Sequence, residues 1–354
     1  MVRESDCCFF RGGEVQRGLA FLERRANLIG KGRKMSKYCI GVDLGGTFIK
    51  FCLLDEKRKA SDIFQLPTPS TGAKDVVAQM VAGGKQAMAK RGLSAKDVVG
   101  VGIGSPGPLK ISEGIIIALP NIPGMDNLPI RDLVSRGIGV PGVLENDANA
   151  AAYGEYICGA GAGHGDMVLL TLGTGVGGGI IIDGKVVQGS HEVGAEIGHV
   201  IVEPGGEKCG CGQRGCLERY ASATYIGLWA TRLIREGRAS SLKAVLDKGG
   251  TITAKDINEA RKSGDALSAE VWDGAMRYLA LGCVTIARML DPDEIVLAGG
   301  MTKAGDDMMA PLRKHYADLH WTITPPLTKL AIAQLGNDAG TIGAAGVAWL
   351  RLWK

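Results

Sequence analysis

The chain has 354 residues, 45% of them hydrophobic and 22% charged, which excludes a disordered or collagen-like protein and allows two domains. No apolar stretch reaches the roughly 20 residues of a membrane helix and no export signal is present, so we expect a cytoplasmic protein with no membrane partner. Residues 1–34 hold eight basic and four acidic residues, which accounts for the whole net charge of +4. The rest is neutral overall, and no nucleic-acid partner is expected.

The N-terminal region and the first strands differ sharply in pattern. Residues 1–36 show neither helical nor strand periodicity, and we expect a disordered extension that can be removed at Met35; a targeting or regulatory arm is the alternative. Residues 38–55 consist of two apolar runs around a glycine turn, which predicts a β-hairpin.

The next segments alternate between helix and strand. A helix is predicted over 74–91, and a strand over 98–103 ends at a Ser-Pro-Gly-Pro turn. A short strand at 143–145 then runs into Asn146 and Asp147, which begin an Ala-rich helix. Ligand-facing groups commonly lie where a strand ends and a helix begins in α/β proteins.

The second half repeats the opening pattern. An apolar strand at 167–172, a glycine turn at 173–179 and a returning strand at 180–183 match the first hairpin in form. Such a duplication predicts two related halves that face each other. The remaining predicted elements are helices over 222–236 and 268–290, a strand over 294–297, and a last helix after the Gly-Asn-Asp-Ala-Gly segment at 336–340.

Two glycine-rich loops occupy equivalent positions in the two halves. They are Asp43-Leu-Gly-Gly-Thr47 and Leu172-Gly-Thr-Gly-Val-Gly-Gly-Gly179. Loops of this kind let several backbone N–H groups converge on a phosphate chain. A single such loop is equally typical of a plain hairpin turn, but a matched pair indicates a nucleotide site.

Three of the nine cysteines cluster, and the segment around them is the most specific in the chain. It reads Glu196-Ile-Gly-His199, followed by Cys209-Gly-Cys211-Gly-Gln-Arg-Gly-Cys216-Leu-Glu218. In a reducing compartment such a cluster favours a metal over a disulfide. With these motifs, the Asn146-Asp147 pair and Gly299-Gly300, the chain over about 37–352 resembles the ROK family of sugar kinases and repressors, within the actin-like ATPase and hexokinase superfamily.

The resemblance implies an α/β fold of two actin-like (ribonuclease H-like) domains with an interdomain cleft. The small domain would comprise 37–147 plus 336–354, and the large domain 148–335 with a zinc loop at 199–216. It also implies phosphorylation of a hexose by ATP with Mg²⁺, and a homodimer or homotetramer. One histidine and three cysteines form the closed tetrahedral set of a structural Zn²⁺, rather than three buried thiols beside an unrelated histidine: His199, Cys209, Cys211 and Cys216.

The resemblance also assigns roles to single residues. Asp147 would be the general base, whereas the local sequence alone leaves a helix N-cap equally plausible. Asp43 would organise Mg²⁺ through water. The implied sugar-binding residues are Gly107, Asn121, Asn146, Asp147, Glu196, His199 and Glu218. The implied ATP-binding and phosphate-binding residues are Asp43, Gly45, Gly46, Thr47, Gly173, Thr174, Gly175, Gly299 and Gly300. Lys50 is interpreted instead as an exposed strand charge.

Several alternatives remain open at this point. The segment Pro120-Asn121-Ile-Pro-Gly124 resembles glucokinases of the family and favours glucose. Fructose, mannose, allose, an N-acetylhexosamine, or polyphosphate as donor are the alternatives, and Glu192 departs from the family pattern at a wall that would touch the sugar. A sugar-responsive regulator is the second alternative, but 34 irregular residues are too few for a DNA-binding module.

Overall fold

The computed structural model describes residues 37–119 and 122–353. The predicted extension at 1–36 and the candidate sugar ligand Asn121 lie outside these residues. The elements of the first half are, in chain order, β1 (Tyr38–Leu44), β2 (Phe48–Asp55), β3 (Ala60–Pro67), α1 (Ala73–Lys90), β4 (Val98–Ser105), β5 (Leu109–Lys110), β6 (Ile115–Ile116), α2 (Ile130–Ile138), β7 (Gly142–Asn146) and α3 (Asp147–Cys158).

The second half begins with a hairpin and continues with a largely helical region before its last strands. Its elements are β8 (Met167–Leu172), β9 (Val176–Ile182), β10 (Lys185–Val186), α4 (Glu218–Ala221), α5 (Ala223–Arg235), α6 (Lys243–Asp247), α7 (Ala254–Lys262), α8 (Ala266–Leu290), β11 (Glu294–Ala298), α9 (Asp306–Leu319), β12 (Lys329–Ile332) and α10 (Ala339–Leu352). None of the helices in the described part of the chain could cross a membrane.

The two halves contain five-stranded sheets of the same topology. The first has the order β3-β2-β1-β4-β7 and the second has the order β10-β9-β8-β11-β12. In each, a hairpin (β1 with β2, β8 with β9) is antiparallel, and the first strand of that hairpin pairs in parallel with a later strand, β4 or β11. The predicted duplication and the α/β class are confirmed.

One predicted boundary was wrong. The returning strand was predicted to begin at residue 180, after a glycine turn, whereas β9 already begins at Val176. The glycines at 177–179 are therefore strand residues, and close packing explains why these positions have no side chain. A Cβ on Gly179 would lie 2.5 Å from the Cβ of Ala152, and one on Gly178 would lie 2.6 Å from the carbonyl oxygen of Ala195.

Helices α3 and α10 pack closely against each other beside the first sheet. A Cβ on Gly343 would lie 1.6 Å from the carbonyl oxygen of Ala150, so only glycine allows this approach. Both helices contribute to a hydrophobic cluster that also contains residues of both sheets, such as Cys52 and Leu169. Asp147 is the first residue of α3, as predicted, so this packing fixes its position. The division into a small and a large domain stays a prediction.

Candidate active site

A cavity of about 910 Å³ lies where the ends of strands from both sheets meet the first turns of α3 and α10. Most of the predicted site residues line it, although they are distant in sequence. They are Asp43, Gly45, Gly46, Asp147, Gly173, Thr174, Gly175, Glu196, His199, Glu218, Gly299 and Gly300.

Among the described residues, three that were predicted to bind sugar or phosphate do not line the cavity. Thr47 is exposed on the turn between β1 and β2. Gly107 lies beside Asn146, since a Cβ placed on it would be 3.8 Å from the Asn146 Nδ2 atom. Asn146 itself directly precedes Asp147 at the end of β7, and both it and Gly107 therefore lie next to the cavity rather than in its wall.

Asn146 and Asp147 share the start of helix α3. The Asn146 Oδ1 atom accepts hydrogen bonds from the backbone N–H groups of Ala148 and Asn149 at 2.9 and 3.2 Å, so Asn146 is the N-cap. The Asp147 Oδ1 atom also accepts from the Ala148 N–H, at 2.8 Å. Burial raises the pKa of Asp147, and the hydrogen bonds from its own and the Ala148 backbone N–H oppose this shift.

Asp43 lies on β1, directly opposite Lys50 on β2. Burial raises the pKa of Asp43 to about 6; the Lys50 ammonium opposes that shift and the nearby Asp147 carboxylate adds to it. Lys50 is half-buried and its ammonium donates to the carbonyl of Asn337, which lines the cavity. Lys50 was interpreted as an exposed strand charge, and its contact with the turn before α10 was not visible in the sequence of its own strand.

Glu196, His199 and Glu218 come together at the side of the cavity formed by the second half. The Glu218 Oε2 atom accepts from the Val176 backbone N–H at 3.1 Å, at the start of β9. A Cβ on Gly175 would lie 2.2 Å from that oxygen, so the glycine-rich loop has no room for a side chain where Glu218 crosses it. The arrangement places the Glu218 carboxylate on the glycine-rich loop and Glu196 in the wall of the same cavity.

The predicted metal ligands form a compact cluster. One ligand atom from each of His199, Cys209, Cys211 and Cys216 lies within 4.8 Å of every other. The Cys209 Sγ atom is 3.6 Å from His199 Nδ1, and the Cys211 and Cys216 Sγ atoms are 3.6 Å apart. A tetrahedron with zinc–ligand bonds of 2.0–2.3 Å has edges of about 3.3–3.8 Å, and both separations of 3.6 Å lie in this range, so the residues fit this ion.

The structure also brings in residues that the sequence analysis did not assign. Gly336, Asn337 and Gly340 line the cavity at the start of α10, and Thr302 and Lys303 line it after β11. A Cβ on Gly340 would lie 2.9 Å from the Asp43 Oδ2 atom. The Gly-Asn-Asp-Ala-Gly segment ahead of a helix could have indicated that residues 336–340 belong to the site, since a helix N-terminus with small residues suits a phosphate.

Comparison with known proteins agrees with this geometry. The ROK family matches residues 39–350. A glucokinase of Halalkalibacterium halodurans is 38% identical over 319 residues, covering 89% of this chain and 94% of the relative. A ROK hexokinase of Thermus thermophilus has a TM-score of 0.76 at 30% identity, covering 88% of this chain and 98% of that one. For a ROK glucokinase of Streptomyces griseus, solved with glucose and AMPPNP, the TM-score is 0.68 at 37% identity, with 88% and 99% coverage.

The fold and the cavity thus define the class of actin-like sugar kinases. This chain belongs to the ROK family.

Proposed function

We propose that this chain phosphorylates glucose at its 6-hydroxyl with ATP as the donor. The observation that carries the proposal is the single cavity in which Asp147, Glu196 and Glu218 lie together with both glycine-rich loops. Carboxylates that bind hydroxyl groups and loops that bind phosphates are the two halves of a hexose kinase site. The identity of 38% to a glucokinase supports glucose as the acceptor.

Asp147 is the proposed general base. A sugar hydroxyl is a poor nucleophile while it keeps its proton, so a carboxylate must lie within about 2.6–3.2 Å of it. The positive end of α3 favours the ionised form of this carboxylate and burial disfavours it, which keeps its basicity above that of a solvated aspartate. Asn146, Glu196, His199 and Glu218 would hold the other hydroxyls and so select the oxygen that attacks.

The donor site is proposed in the same cavity, next to the acceptor residues. The loops at 45–46 and 173–175 would bind the phosphates through backbone N–H groups, and Gly299 and Gly300 would face the adenosine. Asp43 would hold Mg²⁺ through water. The raised pKa of Asp43 supports this role, because burial and the nearby Asp147 disfavour the charged carboxylate and a bound cation would stabilise it. The metal neutralises charge on the transferring phosphate when bound.

Zn²⁺ is proposed as a structural ion in the cluster of His199 and the three cysteines. It would supply no chemistry to the reaction. The Nδ1 atom of His199 faces the cysteines, so its other ring nitrogen remains for the sugar. Glu218 follows Cys216 by two residues, and the ion would therefore fix both ends of the loop that carries the sugar ligands.

The test is an initial-rate assay of purified protein with Mg²⁺ and a panel of hexoses. We expect glucose to give the highest kcat/KM with ATP, mannose and glucosamine to be weaker, and ³¹P NMR to show a 6-phosphate. Fructose or an N-acetylhexosamine far ahead of glucose would overturn the acceptor, and polyphosphate ahead of ATP would overturn the donor. Turnover of no hexose would overturn the function itself. We also propose a cytoplasmic location and a homodimer or homotetramer; sedimentation analysis tests the oligomeric state, and cell fractionation tests the location.

A further inference from the structure

The side chain of Glu192 crosses from the second half of the molecule to the first. Its Oε2 atom accepts a hydrogen bond from the Ile111 backbone N–H at 2.6 Å, and Oε1 accepts from the Ser112 N–H at 2.9 Å. The two donors are consecutive residues in the turn between β5 and β6. The carboxylate therefore does not line the sugar cavity, contrary to the expectation that this position forms its wall.

The loop that carries Glu192 is held in an unusual backbone conformation. Glu192 and Ala195 have φ angles of 61° and 65°, in the left-handed region that residues other than glycine and asparagine rarely adopt. The Gly194 N–H donates to the Gln188 carbonyl at 2.9 Å, and a Cβ on Gly194 would lie 2.8 Å from that oxygen. Such conformations persist only where surrounding contacts hold them, and the Glu192 hydrogen bonds are among those contacts.

Both ends of the loop that carries Glu192 lead to proposed sugar-binding groups. The loop ends at Glu196, one residue after Ala195. At its other end the Gln188 amide donates to Glu145 at 2.8 Å, next to Asn146 and Asp147. The Glu192 carboxylate therefore acts on a loop whose two ends meet the acceptor side of the cavity.

The β5–β6 turn is itself rigidly attached to the first half. The Arg131 guanidinium donates to the Ser112 carbonyl at 2.8 Å, and the Arg131 backbone N–H donates to the Gly114 carbonyl at 3.2 Å. Strand β5 begins two residues after Gly107, which lies beside Asn146. A contact with this turn therefore sets the distance between the sugar-binding groups of the two halves.

We infer that Glu192 is a positioning residue. Its two hydrogen bonds to Ile111 and Ser112, called the clasp below, connect the β5–β6 turn to the loop at 187–195 and so hold the sugar site in its binding geometry. The inference rests on the proposed function for the identity of the sugar. Because the clasp acts before chemistry, it contributes to sugar binding and not to the phosphoryl-transfer step. Burial opposes ionisation, but the hydrogen bonds from Ser112 and Ile111 lower the pKa of Glu192, so the carboxylate is charged at neutral pH.

The decisive comparison is Glu192→Gln against Glu113→Gln. Glutamine keeps the size of the side chain, but its amide nitrogen is a donor and cannot accept from a second N–H. Glu113 is an exposed carboxylate in the same turn, 3.4 Å from Lys110, and serves as the matched control. We expect Glu192→Gln to raise the glucose KM and the calorimetric Kd by about 10–100-fold, the effect of losing one hydrogen bond to a charged group. The kcat and the nucleotide KM should stay within about threefold of wild type.

A second readout does not depend on turnover. In the sugar-free protein, hydrogen–deuterium exchange at the Ile111 and Ser112 amides should be at least about tenfold faster in Glu192→Gln than in Glu113→Gln. Equal exchange would show that the clasp does not exist. Unchanged KM and Kd with a uniform fall in kcat would assign Glu192 a merely structural role and overturn the inference. Failure of the wild type to phosphorylate any hexose would overturn the proposed function alone, since exchange and sugar Kd still report on the clasp.

Discussion

Asn146 caps the helix of which Asp147 is the first residue. The cap uses the Asn146 Oδ1 atom, which accepts from the backbone N–H groups of Ala148 and Asn149. Helix capping was the competing interpretation of Asp147, but the structure shows that Asn146 is the N-cap. The Ala148 N–H also contacts Asp147 Oδ1, so Oδ2 is the oxygen that we assign to the proton of the substrate. In the proposed mechanism Asn146 therefore holds the helix, and Asp147 would accept the proton.

The first prediction concerns the pH dependence of the reaction. Burial raises the folded-state pKa of Asp147 above its ordinary value of 3.8, and a general base must be ionised to act. Log kcat/KM should therefore fall with unit slope as the pH drops through a value above 3.8, measured at saturating Mg²⁺ so that Asp43 stays ionised. Circular dichroism at each pH controls for unfolding. A profile that stays flat down to pH 3.8 would contradict the assignment.

The second prediction concerns the metal. Wild-type protein purified without chelator should contain one equivalent of zinc by plasma mass spectrometry. Cys211→Ser should weaken zinc binding by more than the ~10–100-fold that the loss of an outer-shell partner costs, and should raise the glucose KM with it. The two effects are coupled because His199 and Glu218 lie at the two ends of the same loop.

Cys158→Ser is the matched control for this variant. The Cys158 thiol lies outside the cluster and contacts the Arg58 carbonyl at 3.1 Å, a contact that a serine hydroxyl can keep. It should retain full zinc content and an unchanged glucose KM. Wild-type protein without zinc, or a Cys211→Ser variant with full zinc, would show that the cluster is not a metal site.

The third prediction concerns stability and its pH dependence. The Asp265 carboxylate caps α8 through the Ser268 N–H at 2.8 Å and accepts from the Ser241 N–H at 2.6 Å. Burial opposes its ionisation, but these bonds and those from the Ser240 and Ser241 hydroxyls lower its pKa. A lowered folded-state pKa gives stability that is present above the unfolded value near 3.8 and lost as the pH falls towards the folded value.

Asp265→Asn should keep the cap through Oδ1, but it can no longer accept from the Ser241 backbone N–H, because the amide nitrogen in place of Oδ2 is itself a donor. At pH 7 we expect a loss of about 1 kcal/mol in the free energy of unfolding, because the partly exposed site is screened by water. In urea titrations the difference from wild type should shrink below pH 4. Asp247→Asn removes an exposed carboxylate 2.6 Å from Lys243 and should change stability by less than about 0.5 kcal/mol. A difference for Asp265→Asn that is constant with pH would contradict the assigned charge.

Much of the site was predictable because its signals are local. The two glycine-rich loops and the cysteine spacing are written in consecutive residues, and the structure places them around one cavity and one cluster. The unpredicted features depend on distant contacts. The contact of Lys50 with Asn337 joins residues 287 positions apart, and the Glu192 side chain is directed by the β5–β6 turn, 80 residues away. The start of β9 was missed because its glycines fit a neighbouring helix rather than a turn.

The general-base role of Asp147 is decided by the turnover and glucose affinity of Asp147→Asn, measured on the same preparation. Asparagine is nearly isosteric and can accept the same Ala148 N–H, while the cap remains on Asn146, so folding and the calorimetric Kd for glucose should persist. Turnover with ATP should fall by about 10²–10⁴-fold, the usual effect of losing a general base. Asp247→Asn should leave both quantities unchanged. Near-normal turnover of Asp147→Asn with intact glucose binding would show that Asp147 is not the base and that the base lies elsewhere.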